Sequence, residues 1–273
     1  MSVENTPHTP SSGKNGTAVV VVRPAEGRRL IGEAVAALPQ VKQRQQNGHM
    51  VVVGGSTNRH LIRHLTEGDP GCASFAIGWI RAGQLDETPR ETRGEGPFLF
   101  EDGKVSRGWP GHLLERFGPG DLYIKGANAL DADGHVSVLM GSPVGGTIGA
   151  ALTILLARGG ELIVPVSMQK LIPSVPKSCG LLGQGVVGRV MGSMPVGLMP
   201  IMAGTATVIT EVEAFKTLFN VRAIQVAAGG LADCAGAMVF HLQGAPDGIE
   251  SAWERLLEIR QACDDDPEKA LEG

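Results

Sequence analysis

Short, unbroken apolar runs alternate along this chain with stretches whose apolar positions recur every three to four residues. The runs are AVVVVRP (18–24), MVVVGG (50–55), SFAIGWI (74–80), DLYIKGANAL (121–130), HVSVLM (135–140) and ELIVPV (161–166). Uninterrupted runs of this kind belong to strands covered on both faces. Between them, residues 27–46 carry Leu30, Ile31, Ala34, Val35 and Leu38 at helical spacing, with Pro39 stopping or kinking the first part. Helices are also expected at 56–65 and 146–158. Strand–helix alternation over 18–166 predicts an α/β, Rossmann-like layered fold with a mainly parallel sheet.

Beyond residue 194 the texture changes to a smaller α+β portion, 195–263. MPVGLMPIM and AIQVA read as strands around a helix at 211–219, followed by a strand at AMVFHLQG. A last helix, 247–262, should turn Ile249, Trp253, Leu256, Leu257 and Ile259 inward, with Asp247 as its cap. The core domain, 17–194, contains a polar, turn-rich insert at 82–120, expected as a lid, a binding loop or a poorly ordered excursion. Inside it, FLFEDGKVS reads as a hairpin turning at Asp102–Gly103. Residues 1–16 read as a disordered tail and 264–273 as a solvated acidic one.

Composition narrows the function classes. Of 273 residues, 24 are Lys or Arg and 28 are Asp or Glu, giving a net charge of −4, which argues against a nucleic-acid partner held by bulk electrostatics. Cys72, Cys179, Cys234 and Cys263 share no C-x-x-C spacing, so reduced thiols are expected, with no disulfide frame and no zinc site. No apolar run reaches a bilayer span and the N-terminus is polar, so the expected chain is cytoplasmic with no membrane partner. The 39 glycines, without a three-residue period, imply tight turns and close backbone approaches.

The sharpest local motif is Gly54-Gly55-Ser56-Thr57-Asn58, between an apolar strand and a helix. Its glycines admit close approach, its hydroxyls donate, and the helix start offers free N–H groups, so an anion site is expected there, with a tight turn plus N-cap as the plain alternative. Arg59 and Arg63, with His60 and His64, make one side of that helix basic, and Arg59 is expected to help hold the anion. The histidine pair lacks a third ligand, so no metal is expected. A second Gly-rich stretch, Gly141-Ser142-Pro143-Val144-Gly145-Gly146, opens the next helix after a strand ending in Lys125-Gly126-Ala127-Asn128. Lys125 and Asn128 are the candidate catalytic pair. Gly126, Ser142, Gly145, Gly146 and Lys170 are candidate ligand contacts, Ser167 and Gln169 flank Lys170, and Asp131 and Asp133 read as turn residues. No cofactor is implied.

The order of these motifs resembles that of ribose-5-phosphate isomerase A and its wider superfamily, which also holds glucosamine-phosphate deaminases and CoA transferases. VVVGGSTNRHLIRHL is similar to the isomerase's strand and Gly-Ser-Thr phosphate loop, and DLYIKGANALD to its aspartate-rich D-x-x-I-D-G-A-D-E-x-D segment. The stretch from GSPVGG to PVSMQKLI resembles its Gly-rich turn, helix and strand ending in S-K-L, and PVGLMP its P-V-E-V-x-P phrase. The likeness spans roughly residues 50–245. At the two aspartates and the glutamate of the signature this chain has Lys125, Asn128 and Ala129; Met140 and Thr153 fall where the family's next lysine and its base glutamate stand. Aldose–ketose isomerisation needs such a base, so the resemblance implies the fold and a phosphate loop without that reaction.

The leading expectation is an enzyme acting on a small anionic metabolite, phosphorylated or carried on CoA or a nucleotide, with Lys125 polarising a carbonyl and His112, Glu115 or Asp121 as base candidates. Two other readings stay open. One is a non-catalytic binding or regulatory protein of the same fold; the other is an assembly subunit, a homo-oligomer burying its Gly/Met-rich stretch 180–203.

Overall fold

The structure is a computed structural model that describes residues 16–267. Its elements begin with β1 (Gly16–Val22), α1 (Pro24–Ala37), α2 (Pro39–Gln46), β2 (His49–Val52) and α3 (Ser56–Leu65). Next come α4 (Cys72–Phe75), β3 (Gly78–Arg81), β4 (Gln84–Glu87), β5 (Phe98–Glu101), β6 (Lys104–Arg107) and α5 (Gly111–Leu114). The middle holds β7 (Leu122–Ile124), β8 (Ala129–Leu130), β9 (Val136–Met140), α6 (Gly146–Arg158), β10 (Glu161–Pro165) and α7 (Val175–Ser178). The last stretch contains β11 (Gly197–Ile201), β12 (Thr207–Ile209), α8 (Glu211–Phe219), β13 (Arg222–Gly229), β14 (Ala237–Gly244) and α9 (Pro246–Asp264).

A six-stranded sheet in the order β12-β10-β7-β2-β5-β6 forms the centre. Its first four strands are mutually parallel, whereas β5 runs antiparallel to β2 and β6 to β5. Side chains of the parallel strands divide with a period of two between separate cores. Met50, Val52, Leu122, Ile124 and Ile163 enter one core; Val51, Val53, Tyr123, Leu162 and Val164 enter the other. Cores on both faces explain the unbroken apolar runs. On one face lie Ile31 of α1, Leu61 of α3, Phe215 of α8 and Leu256 of α9. Leu113 of α5, Ile148 and Leu155 of α6 and Val136 of β9 cover the other.

Several expectations change. The fold is mixed α/β, and its central sheet is mixed rather than mainly parallel. The run at 18–24 does not enter that sheet: β1 pairs antiparallel with β14, which also pairs with β13 in a separate three-stranded sheet. SFAIGWI is not one strand but the end of α4 followed by β3, which pairs only with β4. The 82–120 insert is no excursion either, because its Asp102–Gly103 hairpin supplies β5 and β6, the edge of the main sheet. A short strand absent from the sequence reading, β12, completes the parallel set, and β9 pairs with β11 and β8 in a small antiparallel sheet.

Helix ends follow local chemistry. Leu38 takes an extended conformation before Pro39, as a residue preceding proline must, and the chain breaks there into α1 and α2. α9 starts on Pro246 with Ala245 as its N-cap, so Asp247 is not the cap; its carboxylate accepts the Gly248 N–H instead. Leu256 and Ile259 of α9 are buried as expected, with Ala252 and Cys263, but Leu257 is 43% exposed and Trp253 only partly covered.

The acidic end is solvated only in part where it is described: Asp264 and Asp265 are exposed, whereas Asp266 is not. Asp264 pairs with Arg23, and Asp266 is buried against Arg29, Arg59 and Arg63. The remainder of that tail, 268–273, lies outside the described residues, as does the expected tail over 1–16 except Gly16, which opens β1. None of the four cysteines is joined in a disulfide. No helix among the described residues is long and apolar enough to cross a membrane.

Candidate functional site at the ends of the parallel strands

Parallel register sets Val52 beside Ile124, Ile124 beside Ile163, and Pro165 beside Ile209. The segments leaving these strands therefore stand side by side along one sheet edge, each about 4.8 Å from the next. In order they are Val53–Ser56, Lys125–Asn128, Val166–Lys170 and Thr210–Glu211. Gly55, Lys125, Gly126 and Lys170, far apart in sequence, are brought to this edge together.

Within the first segment the two glycines differ. A Cβ on Gly54 would overlap the carbonyl oxygen of Phe75, so this glycine serves packing. A Cβ on Gly55 would meet nothing within 4 Å. Gly55 is the N-cap of α3, and no side chain caps the helix, so its first N–H groups stay open to an acceptor. Ser56 is half-buried and Thr57 buried beside that opening.

Asn58 has a structural role: its buried amide donates to the carbonyls of Val53 (2.7 Å) and Ile124 (3.3 Å), tying the ends of β2 and β7 together. Arg59 does not reach the loop. It is 1% exposed and forks onto the Asp69 carboxylate at 2.8 and 2.7 Å, with Asp266 nearby. His60, His64 and Arg63 line a groove of about 160 Å³ with Arg29, Glu33 and Arg255. The basic side of α3 thus faces helices and the chain's last described residues rather than the Gly54–Ser56 loop.

Lys125 and Lys170 form the electropositive centre of the edge. Lys125 follows β7 directly and is half-buried; among the described residues its ammonium has no hydrogen bond and no carboxylate within ion-pairing distance. Lys170, also half-buried, donates to the carbonyl of Ala127 at 2.8 Å and likewise lacks an ion pair. Burial, reinforced by the charge of Lys170, pushes Lys125 down to about 8. Burial, reinforced by Arg28, pushes Lys170 down to about 8 while Glu211 pulls it back up.

Glu211 and Arg28 were not singled out in the sequence. Glu211 opens α8 immediately after β12, is fully buried, and accepts the Met168 N–H at 2.8 Å, ordering the turn that carries Lys170. Its other oxygen, Oε1, is buried without a hydrogen-bond partner, and a Cβ on Gly27 of α1 would overlap it. Burial pushes this carboxyl up, against hydrogen bonds from Met168 and Ser167. Nothing local in the sequence marks Glu211, because β12 before it is too short to read; its meeting with Lys170 and Arg28 is tertiary.

The remaining candidates fall elsewhere or into structural roles. Asn128 is exposed, with its amide oxygen accepting the Leu139 N–H and its own N–H donating to Ser137. Ser142 accepts from Val144 and Gly145 inside its own turn. Gly145 and Gly146 adopt φ of +81° and +56°, and a Cβ on Gly145 would come within 3.0 Å of Gly149, so the second glycine loop is wound tightly on itself. Ser167 is buried and accepts the Gln169 N–H. The base candidates His112, Glu115 and Asp121 precede β7 and lie at its opposite end, where Asp121 accepts from Gly118 and His49. Asp131, Asp133 and His135 gather closely enough to suggest a metal, yet Asp131 is occupied by the N–H groups of Asp133, His135 and Val175, the turn chemistry expected for it.

No family model matches the chain, and neither a curated protein nor a solved structure shows significant similarity to it.

Proposed function

We propose that this chain is an enzyme acting on a small anionic metabolite, phosphorylated or linked to CoA or a nucleotide, bound at the C-terminal edge of the parallel strands. One observation carries the reading. Two desolvated lysines outside any ion pair, Lys125 on the strand end next to the uncapped N-terminus of α3 and Lys170 one strand further with only Glu211 near it, leave positive charge and open N–H donors for an anion to satisfy. Gly55, Ser56 and Lys170 hold the anion, and Lys125 faces the reacting carbonyl. Four parallel strands with helices on both faces support a Rossmann-like layered fold of the ribose-5-phosphate isomerase A superfamily, in which open strand ends hold ligands.

A thermal-shift panel of sugar phosphates, nucleotides, CoA thioesters and folates tests the reading on wild type and on Gly55→Asp. A ligand at a hundred times its dissociation constant adds about 2.7 kcal/mol to wild type. The shift should vanish in the variant, whose carboxylate occupies the helix start. A panel without hits, or hits unaffected by Gly55→Asp, removes this site. Binding without turnover would make it a regulatory cleft. Self-association is a second reading, favoured by the exposure of Leu181, Val186 and Met191; light scattering that gives a strict monomer at high micromolar concentration removes it.

A further inference from the structure

We infer that Lys125 is a covalent catalyst that forms an imine with the carbonyl group of its anionic substrate, while Lys170 stays protonated beside it. This deepens the proposed function and rests on it. The division of labour follows from the contacts. Lys170 spends an N–H on the Ala127 carbonyl, two residues beyond Lys125, and has the buried Glu211 carboxylate near it to favour its charged form. Lys125 makes no such bond among the described residues, leaving its nitrogen available to a substrate. A cation next to a desolvated amine is the arrangement that supplies a neutral amine near neutral pH. With Lys125 pushed down to about 8, the neutral fraction at pH 7.5 is roughly two-hundredfold larger than for an ordinary lysine. Glu211, a buried carboxylate at this edge, holds the Met168 N–H and acts as a positioning residue for Lys170.

The step balances without any added oxidant or reductant. The nitrogen lone pair of neutral Lys125 attacks the carbonyl carbon, the C–N bond forms, and the C=O π pair moves to oxygen, which takes up a proton. The nitrogen then loses a proton; a further proton on the hydroxyl lets the C–O bond break, and water leaves. Overall, an ammonium and a carbonyl compound give a protonated imine and one water.

Glycolaldehyde phosphate with borohydride is the probe, read by intact mass and peptide mapping on the full chain, alongside the thermal shift produced by inorganic phosphate. One adduct should accumulate at Lys125, at least tenfold faster than at exposed Lys42, and inorganic phosphate should suppress it. Lys125→Met should lose the adduct. Lys170→Gln, which keeps the nucleophile, should move the pH midpoint of Lys125 labelling upward, an effect that a purely structural lysine would not produce. Labelling of Lys42 as fast as Lys125, or an unmoved midpoint in Lys170→Gln, overturns the inference. A phosphate shift without Lys125 trapping overturns the imine alone; no shift and no trapping overturns the anion site as well.

Discussion

Two glycine loops open helices in this fold, and they do opposite things. At Gly54–Ser56 the chain enters α3 in an extended conformation, with open space over Gly55 and a lysine on the neighbouring strand end. At Gly141–Gly146 the chain enters α6 through two left-handed glycines packed against their own helix. Neither helix has a side-chain cap, and both loops read alike as sequence. What separates them is the space beside each Cα and the charge beyond it. A glycine motif marks a backbone need, and only the neighbours say whether that need is a ligand's or the fold's own.

Substitutions sharpen this contrast. The largest effect should come from Gly54→Ala, whose Cβ overlaps the backbone of Phe75: about 3 kcal/mol lost in urea unfolding. Asp266→Ala, which uncovers the arginines on the body of α3, should cost about 2 kcal/mol, less than a lone buried pair because Asp69 remains. Gly145→Ala should cost about 1–2 kcal/mol through its left-handed φ without weakening any anion-dependent shift; loss of that shift would bring the second loop into the site.

Raising the pH tests the lysines. Both are depressed to about 8, so the unfolded chain binds more protons from there to 10.5, and unliganded stability should rise over that interval. Anion affinity should move the other way, falling roughly tenfold per pH unit above 8 for each lysine required. Calorimetric titration with phosphate from pH 7 to 10 reads this, and a flat profile removes both lysines from the site. The smallest change in stability is expected from Gly55→Asp, within about 0.5 kcal/mol of wild type because aspartate is a good N-cap, although anion binding is lost.

Local chemistry was legible in the sequence. Helices at 56–65, 146–158 and 211–219 and the strand at 237–244 stand where the pattern put them, because caps, glycine stops and periodicity act over a few residues. Strand partnership was not: β1 looks like any buried strand of a parallel sheet, yet its partner lies more than two hundred residues away. β12 is too short to show a period. For the site, residues at strand ends came together as expected for Gly55, Lys125 and Lys170. Arg59 was misjudged because a helical residue's direction depends on what packs against that face, and Glu211 because nothing local marks a buried acid.

The pairing of β1 with β14 and the burial of Asp266 also constrain when this protein can fold. Val20 and Val22 share one core with Phe240, Leu256 and Ile259, so the first strand finds its place only after the last helix exists. During synthesis β1 must wait, exposed and β-branched, while more than two hundred residues emerge from the ribosome. The contacts of Arg29 and Arg63 with Asp266 likewise need the chain's last described residues, so they close early helices against its far end.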